Sequence, residues 1–97
     1  MHVLALHIDL RFPQCRSLKE KRMAFRPILD GLRDRVHVSI SEVAHQDSWQ
    51  LCELGVALVS GEAPVVEQLA DQVERLIWSA ADTEVVSIDR YWLEADT

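Results

Sequence analysis

Apolar and polar residues alternate along four stretches of the chain, and this alternation is typical of β-strands that have one buried face. The stretches are residues 2–12, 36–44, 51–60 and 84–93. Large apolar residues occupy every second position of the first and third. These predicted inward-facing sets are Leu4, Leu6, Ile8, Leu10 and Phe12, and then Cys52, Leu54, Val56 and Leu58.

The second and fourth strands are less regular. In residues 36–44, Val36, Val38 and Ile40 share one face, but Val43 breaks the alternation, which indicates either a β-bulge or a strand twist near Ser41 and Glu42. The fourth strand is predicted to place one apolar set on the buried face and another on the opposite face. These sets are Val86, Ile88 and Trp92, and then Tyr91 and Leu93.

Two segments have the spacing of amphipathic helices. Ser17 and Glu20 form a capping box, which predicts that the first helix begins at Ser17. This helix is expected to reach about residue 34, with a kink at Pro27. The second helix begins within residues 61–64, since proline is tolerated in a first turn. The predicted apolar stripes are Leu18, Phe25, Ile28, Leu29 and Leu32, and then Val65, Val66, Leu69, Val73, Leu76 and Ile77.

The element order βαββαβ predicts an α+β fold, the ferredoxin-like plait. It has a four-stranded antiparallel sheet with both helices on one face, and residues 1–97 are expected to form a single domain. The other face of the sheet is left open. It would carry His7, Asp9 and Glu53 among small and apolar residues, and it could be solvated, pair with a second copy or bind a flat ligand.

Charge is distributed unevenly. The net charge is −6, which argues against indiscriminate nucleic-acid binding, and no DNA partner is expected. Eight of the ten basic residues nevertheless fall within residues 11–35, where only three acids oppose them. Four cations share one ridge of the first helix, and phosphate groups, above all those of ribosomal RNA, would suit them. The ridge is Lys19, Arg22, Arg26 and Arg33; the alternative interpretation is a solvated helix face.

Several function classes lack their signatures. The open face has no aromatic platform of the kind that RNA-recognition motifs use. Acyl-phosphate hydrolysis would need a loop after the first strand that cradles phosphate and an asparagine that orients a water molecule. That loop has no glycine, and the chain has no asparagine. The four histidines show no metal-binding spacing, so no metal, cofactor or catalytic residue is predicted. His7 and Asp9 lie two apart on one strand face, which suits either a surface histidine or contact with a partner side chain across the sheet.

The junction between the second and third strands is a polar segment, His45 to Gln50. Asp47 and Ser48 are expected to bond backbone amides, and Trp49 to cover the edge of the core. His45 and Asp47 could hold each other in place. The segment is thus either a structural lock or a contact site, with His45, Gln46, Asp47 and Trp49 as the candidate residues.

The two cysteines fit no metal or redox motif. Cys52 is expected to be a buried apolar residue. Cys15 lies beside Arg16 and just before a helix, a position that would lower the pKa of a thiol. It is therefore either a reactive thiol or an incidental loop residue.

Three segments together resemble the YlxP-like family of small bacterial proteins. They are residues 17–22 (SLKEKR), residues 45–50 (HQDSWQ) and residues 54–60 (LGVALVS). The resemblance spans residues 3–93 and implies a ferredoxin-like fold, with Pro27 departing from the family's usual unbroken helix. The resemblance assigns no catalytic residues to this chain. Because family members are often encoded near translation initiation factor two and ribosome-binding factor A, it suggests a role in ribosome assembly or translation.

These observations predict a cytoplasmic, non-enzymatic accessory protein that docks on a ribosomal particle or an RNA–protein partner. His7, Asp9 and Arg11 interrupt the first strand too early for a signal peptide, and no apolar run is long enough to span a membrane. The alternatives are a homodimer or other oligomer formed through the open sheet face, and a regulatory module that binds a small molecule or metal.

Overall fold

The computed structural model describes residues 1–94, and its elements follow the predicted βαββαβ order. Residues 95–97 of the expected domain lie outside the described residues. The strands are β1 (His2–Arg11), β2 (Ser39–Ala44), β3 (Leu51–Ser60) and β4 (Glu84–Glu94). The helices are α1 (Leu18–Gly31), which continues into a π-helical turn (Leu32–Val36), and α2 (Ala63–Trp78).

The four strands form one antiparallel sheet in the order β2-β3-β1-β4. The two long central strands, β1 and β3, pair along their whole length, from His2 opposite Ser60 to Arg11 opposite Leu51. This register places odd-numbered residues of both strands on one face and even-numbered residues on the other. The predicted ferredoxin-like plait is confirmed.

The core lies between the sheet and the two helices. All nine side chains predicted to face inward from β1, its extension at Phe12, and β3 are at most 3% exposed. The helices close over them, and the predicted helical stripe is confirmed for most of its members. The helix and turn residues of the core are Ile28, Leu32, Val36, Val66, Ala70, Val73 and Ile77, with Phe25, Leu29, Leu69 and Leu76 packed against them.

The end of α1 differs from the prediction. The helix runs through Pro27, as expected, but it gives way to the π-helical turn after Gly31 instead of continuing to residue 34. Gly31 packs directly on α2, since a Cβ atom there would lie 2.9 Å from Leu76 Cδ1. A side chain at this position would therefore push the two helices apart or displace Leu76.

The predicted start of β2 at Val36 is wrong. Val36 is buried, but it belongs to the π-helical turn, and His37 then adopts a left-handed conformation with φ of 58°. This residue reverses the chain, so pairing with β3 begins only at Ser39. Of the two irregularities predicted near Ser41 and Glu42, the structure has the bulge, because the register shifts between Glu42 and Ala44.

The predicted alternation of β4 is wrong at its start. A second bulge opposite Asp9 and Leu10 shifts the register there, so Val85 packs against the core in place of Val86. Val86 is 58% exposed. Beyond the bulge the prediction is confirmed, with Ile88 and Trp92 opposite inward-facing residues of β1.

No helix within residues 1–94 is long and apolar enough to cross a membrane. Neither α1 nor α2 reaches the roughly 20 apolar residues that such a span requires.

Candidate functional site

Lys21 connects the two polar motifs of the chain. Its side chain is turned into the protein and is 1% exposed. The ammonium lies 2.8 Å from Glu42 Oε2 and donates a hydrogen bond of 2.7 Å to the carbonyl oxygen of His45. One cation therefore joins α1, β2 and the turn between β2 and β3. Lys21 is one of the eight basic residues within residues 11–35, and unlike the four cations of the ridge it is buried.

Gln50 holds the same turn against the loop that precedes α1. Its side-chain amide donates hydrogen bonds to the carbonyl oxygens of Pro13 and Cys15, at 3.1 and 3.3 Å. The backbone carbonyl oxygen of Gln50 accepts a hydrogen bond of 2.8 Å from the backbone amide of Phe12. The loop leading into α1 and the turn leading into β3 are thus one hydrogen-bonded unit.

The start of α1 is capped nearly as predicted. The Ser17 hydroxyl accepts a hydrogen bond from the amide of Glu20 at 3.1 Å. The Glu20 carboxylate accepts from the amide of Arg16, one residue earlier than a standard capping box would place it. Both motifs therefore contain residues with structural roles, namely Ser17, Glu20, Lys21 and Gln50.

Among the remaining residues of the turn, the expected role is confirmed for Ser48 and not for Asp47. Ser48 Oγ accepts hydrogen bonds from the amides of Gln50 and Leu51, but Asp47 makes none within residues 1–94. Trp49 is 54% exposed, and its indole has no hydrogen-bond partner in that range. Gln46 Nε2 donates to the carbonyl oxygen of Glu42 at 3.2 Å.

His45 is turned toward the sheet and not toward Asp47. Its backbone is left-handed, with φ of 64°, a conformation that is uncommon for a non-glycine residue. Its carbonyl accepts the Lys21 ammonium, whereas its imidazole Nε2 lies 3.0 Å from Glu53 Oε1. The left-handed backbone lets one residue contact the buried cation and the open face of the sheet.

A polar cluster lies on that open face, toward the end of β1 that pairs with the start of β3. His7 Nε2 lies 3.2 Å from Glu53 Oε2, so both oxygens of Glu53 meet a histidine. Asp9 lies directly opposite Glu53 in the β1–β3 register. Ser87 Oγ donates a hydrogen bond of 3.1 Å to Asp9 Oδ2. The hydrogen bond from His7, with support from His45, lowers the pKa of Glu53 against the opposing effect of partial burial.

The strand alternation already placed three members of this cluster on one face. It could not show that Asp9 and Glu53 are direct neighbours, because the pairing register depends on the whole sheet. Nothing in the sequence indicated that His45 reaches Glu53, since that contact needs the left-handed backbone.

The predicted basic ridge lies on the opposite side of the molecule. Lys19, Arg22 and Arg26 are exposed on α1 and keep the expected helical spacing. Arg33 is also exposed, but it lies in the π-helical turn, so its phase relative to the other three departs from that of an α-helix. Within residues 1–94, none of the four cations forms an ion pair.

Two cations outside the ridge are neutralised. Arg90 of β4 donates to the carboxylates of Asp71 and Glu74 on α2, and the Lys21 ammonium forms an ion pair with Glu42. Three acids thus pair with cations away from the ridge. The ridge keeps its charge exposed, with Asp30 as the acid that shares its side of the helix.

Both cysteines are buried, and neither is poised for reaction. Burial, with a smaller contribution from Glu20, raises the pKa of Cys15 in spite of its position before the helix. Burial and then Glu42 raise the pKa of Cys52 to about 12. The interpretation of Cys15 as a reactive thiol is not supported, because the thiolate is the nucleophile.

Residues 3–90 match a family described as a protein of unknown function, DUF503. The chain belongs to this family. A DUF503-like relative from Bacillus subtilis (strain 168), named Uncharacterized protein YlxP, is 38% identical over 68 residues, which are 70% of this chain and 74% of the relative. The expected YlxP-like resemblance is confirmed, and the family's description assigns no activity.

Two solved structures share the fold of this DUF503 chain. The designed protein Foldit4 superposes with a TM-score of 0.55 at 12% identity, covering 97% of this chain and 99% of the design. A designed protein with a ferredoxin fold, LFR1 1, gives 0.54 at 11% identity over 98% and 88% of the two chains. At such identities the likeness concerns the fold alone.

Substitution of the buried lysine should destabilise the DUF503 chain strongly. Lys21→Met would leave Glu42 and the His45 carbonyl without their cation, and the loss of one partner from a buried pair costs about 3 kcal/mol. Urea unfolding would measure this change. The exposed neighbour provides the control, since Lys19→Met should alter the free energy of unfolding by less than about 0.5 kcal/mol.

A second variant separates the charge from the packing. Lys21→Met combined with Glu42→Leu removes both charges, so much of the lost stability should return. Equal stability of the Lys21→Met and Lys19→Met proteins would show that the buried contact contributes nothing of note.

Proposed function

We propose that this protein is a non-enzymatic accessory protein that docks on a ribosomal particle, or on a related RNA–protein partner, through the ridge Lys19, Arg22, Arg26 and Arg33. The observation that carries the proposal is that these four cations are exposed and unpaired within residues 1–94. Because no acid within residues 1–94 neutralises these four charges, the ridge is available to an anionic partner.

The charge distribution supports a polyanionic partner. The chain carries 16 acids against 10 Lys and Arg, yet its exposed cations are concentrated on α1 and the adjoining turns. Repulsion by the acidic remainder would disfavour binding in other orientations. A domain of this kind binds phosphates in a defined orientation and not indiscriminately.

Phosphate is the chemistry that this ridge fits best. Arg22, Arg26 and Arg33 offer planar guanidinium groups that can bind phosphate oxygens in pairs, and Lys19 adds a point charge. Ribosomal RNA is the largest cytoplasmic source of such phosphates, and the family resemblance associates these proteins with translation. A cytoplasmic location belongs to the same proposal.

Binding should depend on the ridge and on salt. Co-sedimentation of the protein with ribosomal subunits is expected at low salt and should disappear at high salt, because phosphate contacts release counterions. For four contacts, the slope of log K against log salt is about −3. The variant with Lys19, Arg22, Arg26 and Arg33 all changed to Gln should lose association.

A matched variant controls for net charge. Changing Arg11, Arg16, Arg35 and Arg75 to Gln removes four charges elsewhere and should leave much more of the association. If both variants lose the same affinity, overall charge and not the ridge governs binding. If the wild-type protein fails to sediment with subunits even at low salt, the proposal is wrong.

Self-association through the open sheet face is a second candidate function. One end of that face is apolar, because Val3 lies between Val59 of β3 and Leu93 of β4. Val59 is 62% exposed and Leu93 is 68% exposed. Adjacent to them, Tyr91 is also largely exposed. Such a contiguous apolar patch is typical of an interaction surface.

Light scattering across a concentration series would test this candidate. A dimer should form as concentration rises, and Leu93→Gln should weaken it by removing apolar area from the interface. Trp78→Gln is the control, since Trp78 is similarly exposed but lies at the end of α2. A mass that stays monomeric at every concentration would exclude the dimer.

A further inference from the structure

We propose that His7, Asp9 and Glu53 bind a divalent transition-metal ion on the open face of the sheet. One ligand atom from each residue lies within 4.8 Å of the other two. His7 Nε2 is 3.2 Å from Glu53 Oε2 and 3.9 Å from Asp9 Oδ1. Ligands of a tetrahedral ion with bonds of about 2.0–2.2 Å stand about 3.3–3.6 Å apart, so only small movements are needed.

The strand register places two carboxylates side by side. Asp9 and Glu53 are direct cross-strand partners on β1 and β3. Like charges directly opposite each other destabilise a sheet. A cation bound between them would convert this repulsion into two favourable contacts, and His7 stands beside the same space.

One carboxylate oxygen of Asp9 has no hydrogen-bond partner within residues 1–94. Ser87 donates to Oδ2, whereas Oδ1 is buried and accepts no hydrogen bond from any residue within 1–94. Oδ1 is also the atom that lies 3.9 Å from His7 Nε2. A buried acceptor is costly when it is left unsatisfied, and a metal ion would satisfy it.

Glu53 is oriented for the same role by His45. The imidazole of His45 lies 3.0 Å from Oε1, which leaves Oε2 on the side of His7. Ligating carboxylates usually have such a hydrogen bond from a neighbouring group. His45 is therefore a positioning residue, and a metal ion would replace the proton that His7 Nε2 and Glu53 Oε2 share.

One imidazole and two carboxylates suit Zn²⁺ and its first-row neighbours better than Mg²⁺. Imidazole is a good ligand for Zn²⁺, and Mg²⁺ is reluctant to lose its waters. The remaining coordination positions would face solvent, because His7 and Asp9 are each about one-third exposed. This inference does not depend on ribosome docking, since the ridge lies on the helices.

Isothermal titration calorimetry of metal-free full-length protein with zinc chloride tests the site. One ion should bind per chain. His7→Ala, Asp9→Asn and Glu53→Gln should each weaken binding roughly tenfold or more, since each removes a ligand. His45→Gln should have a smaller effect. Magnesium chloride should give much weaker binding than zinc chloride.

Two matched controls remove residues of the same type elsewhere. His37→Asn preserves a residue that tolerates the left-handed backbone, and Glu67→Gln changes an exposed acid of α2. Both should bind zinc as the wild-type protein does. Zinc binding that is equally weakened in the controls, or unaffected in all three ligand variants, would overturn the proposal.

Wild-type protein provides a measurement that does not depend on the folding of variants. In nitrogen-15 spectra of the imidazole rings, zinc should shift the resonance of His7 Nε2 strongly and leave His37 unchanged. No shift at His7 when zinc is present at millimolar concentration would also overturn the proposal.

Discussion

The buried ammonium of Lys21 is the interaction on which the rest of this structure depends. It forms an ion pair with Glu42 and donates a hydrogen bond to the carbonyl of His45, so it fixes α1 against the end of β2 and the turn that follows. Because Lys21 faces inward, Lys19 and Arg26 must face outward on the opposite side of the same helix. The inward position of Lys21 is thus consistent with the outward position of these cations, which the apolar stripe of α1 also requires.

The same contact affects the other face of the molecule. By holding the His45 carbonyl beneath the turn, Lys21 supports the left-handed backbone from which the His45 imidazole reaches Glu53. The two polar motifs therefore form one structural unit that positions residues on two surfaces. One is a basic surface on the helices, and the other is the arrangement of His7, Asp9 and Glu53 on the sheet.

The sequence predicted the fold well because apolar alternation and helical spacing are local patterns. It failed where local patterns are interrupted by long-range constraints: Val86 is displaced by a bulge opposite β1, and Val36 is drawn into a π-helical turn. The burial of Lys21 was not predicted, for a similar reason. A lysine within a run of cations normally remains solvated, and only its partner Glu42, 21 residues away, shows otherwise. The contact from His45 to Glu53 could not be predicted from the sequence either.

The central claim is that the outward cations of α1 form the docking surface for RNA phosphates. Nuclear magnetic resonance tests it most directly, by titrating a ribosomal RNA fragment into nitrogen-15-labelled protein at low salt. If the ridge docks on RNA phosphates, the backbone amide shifts should concentrate at Lys19, Arg22, Arg26 and Arg33, with little change on the open sheet face. Shifts confined to the open face, or an absence of shifts on α1, would contradict it.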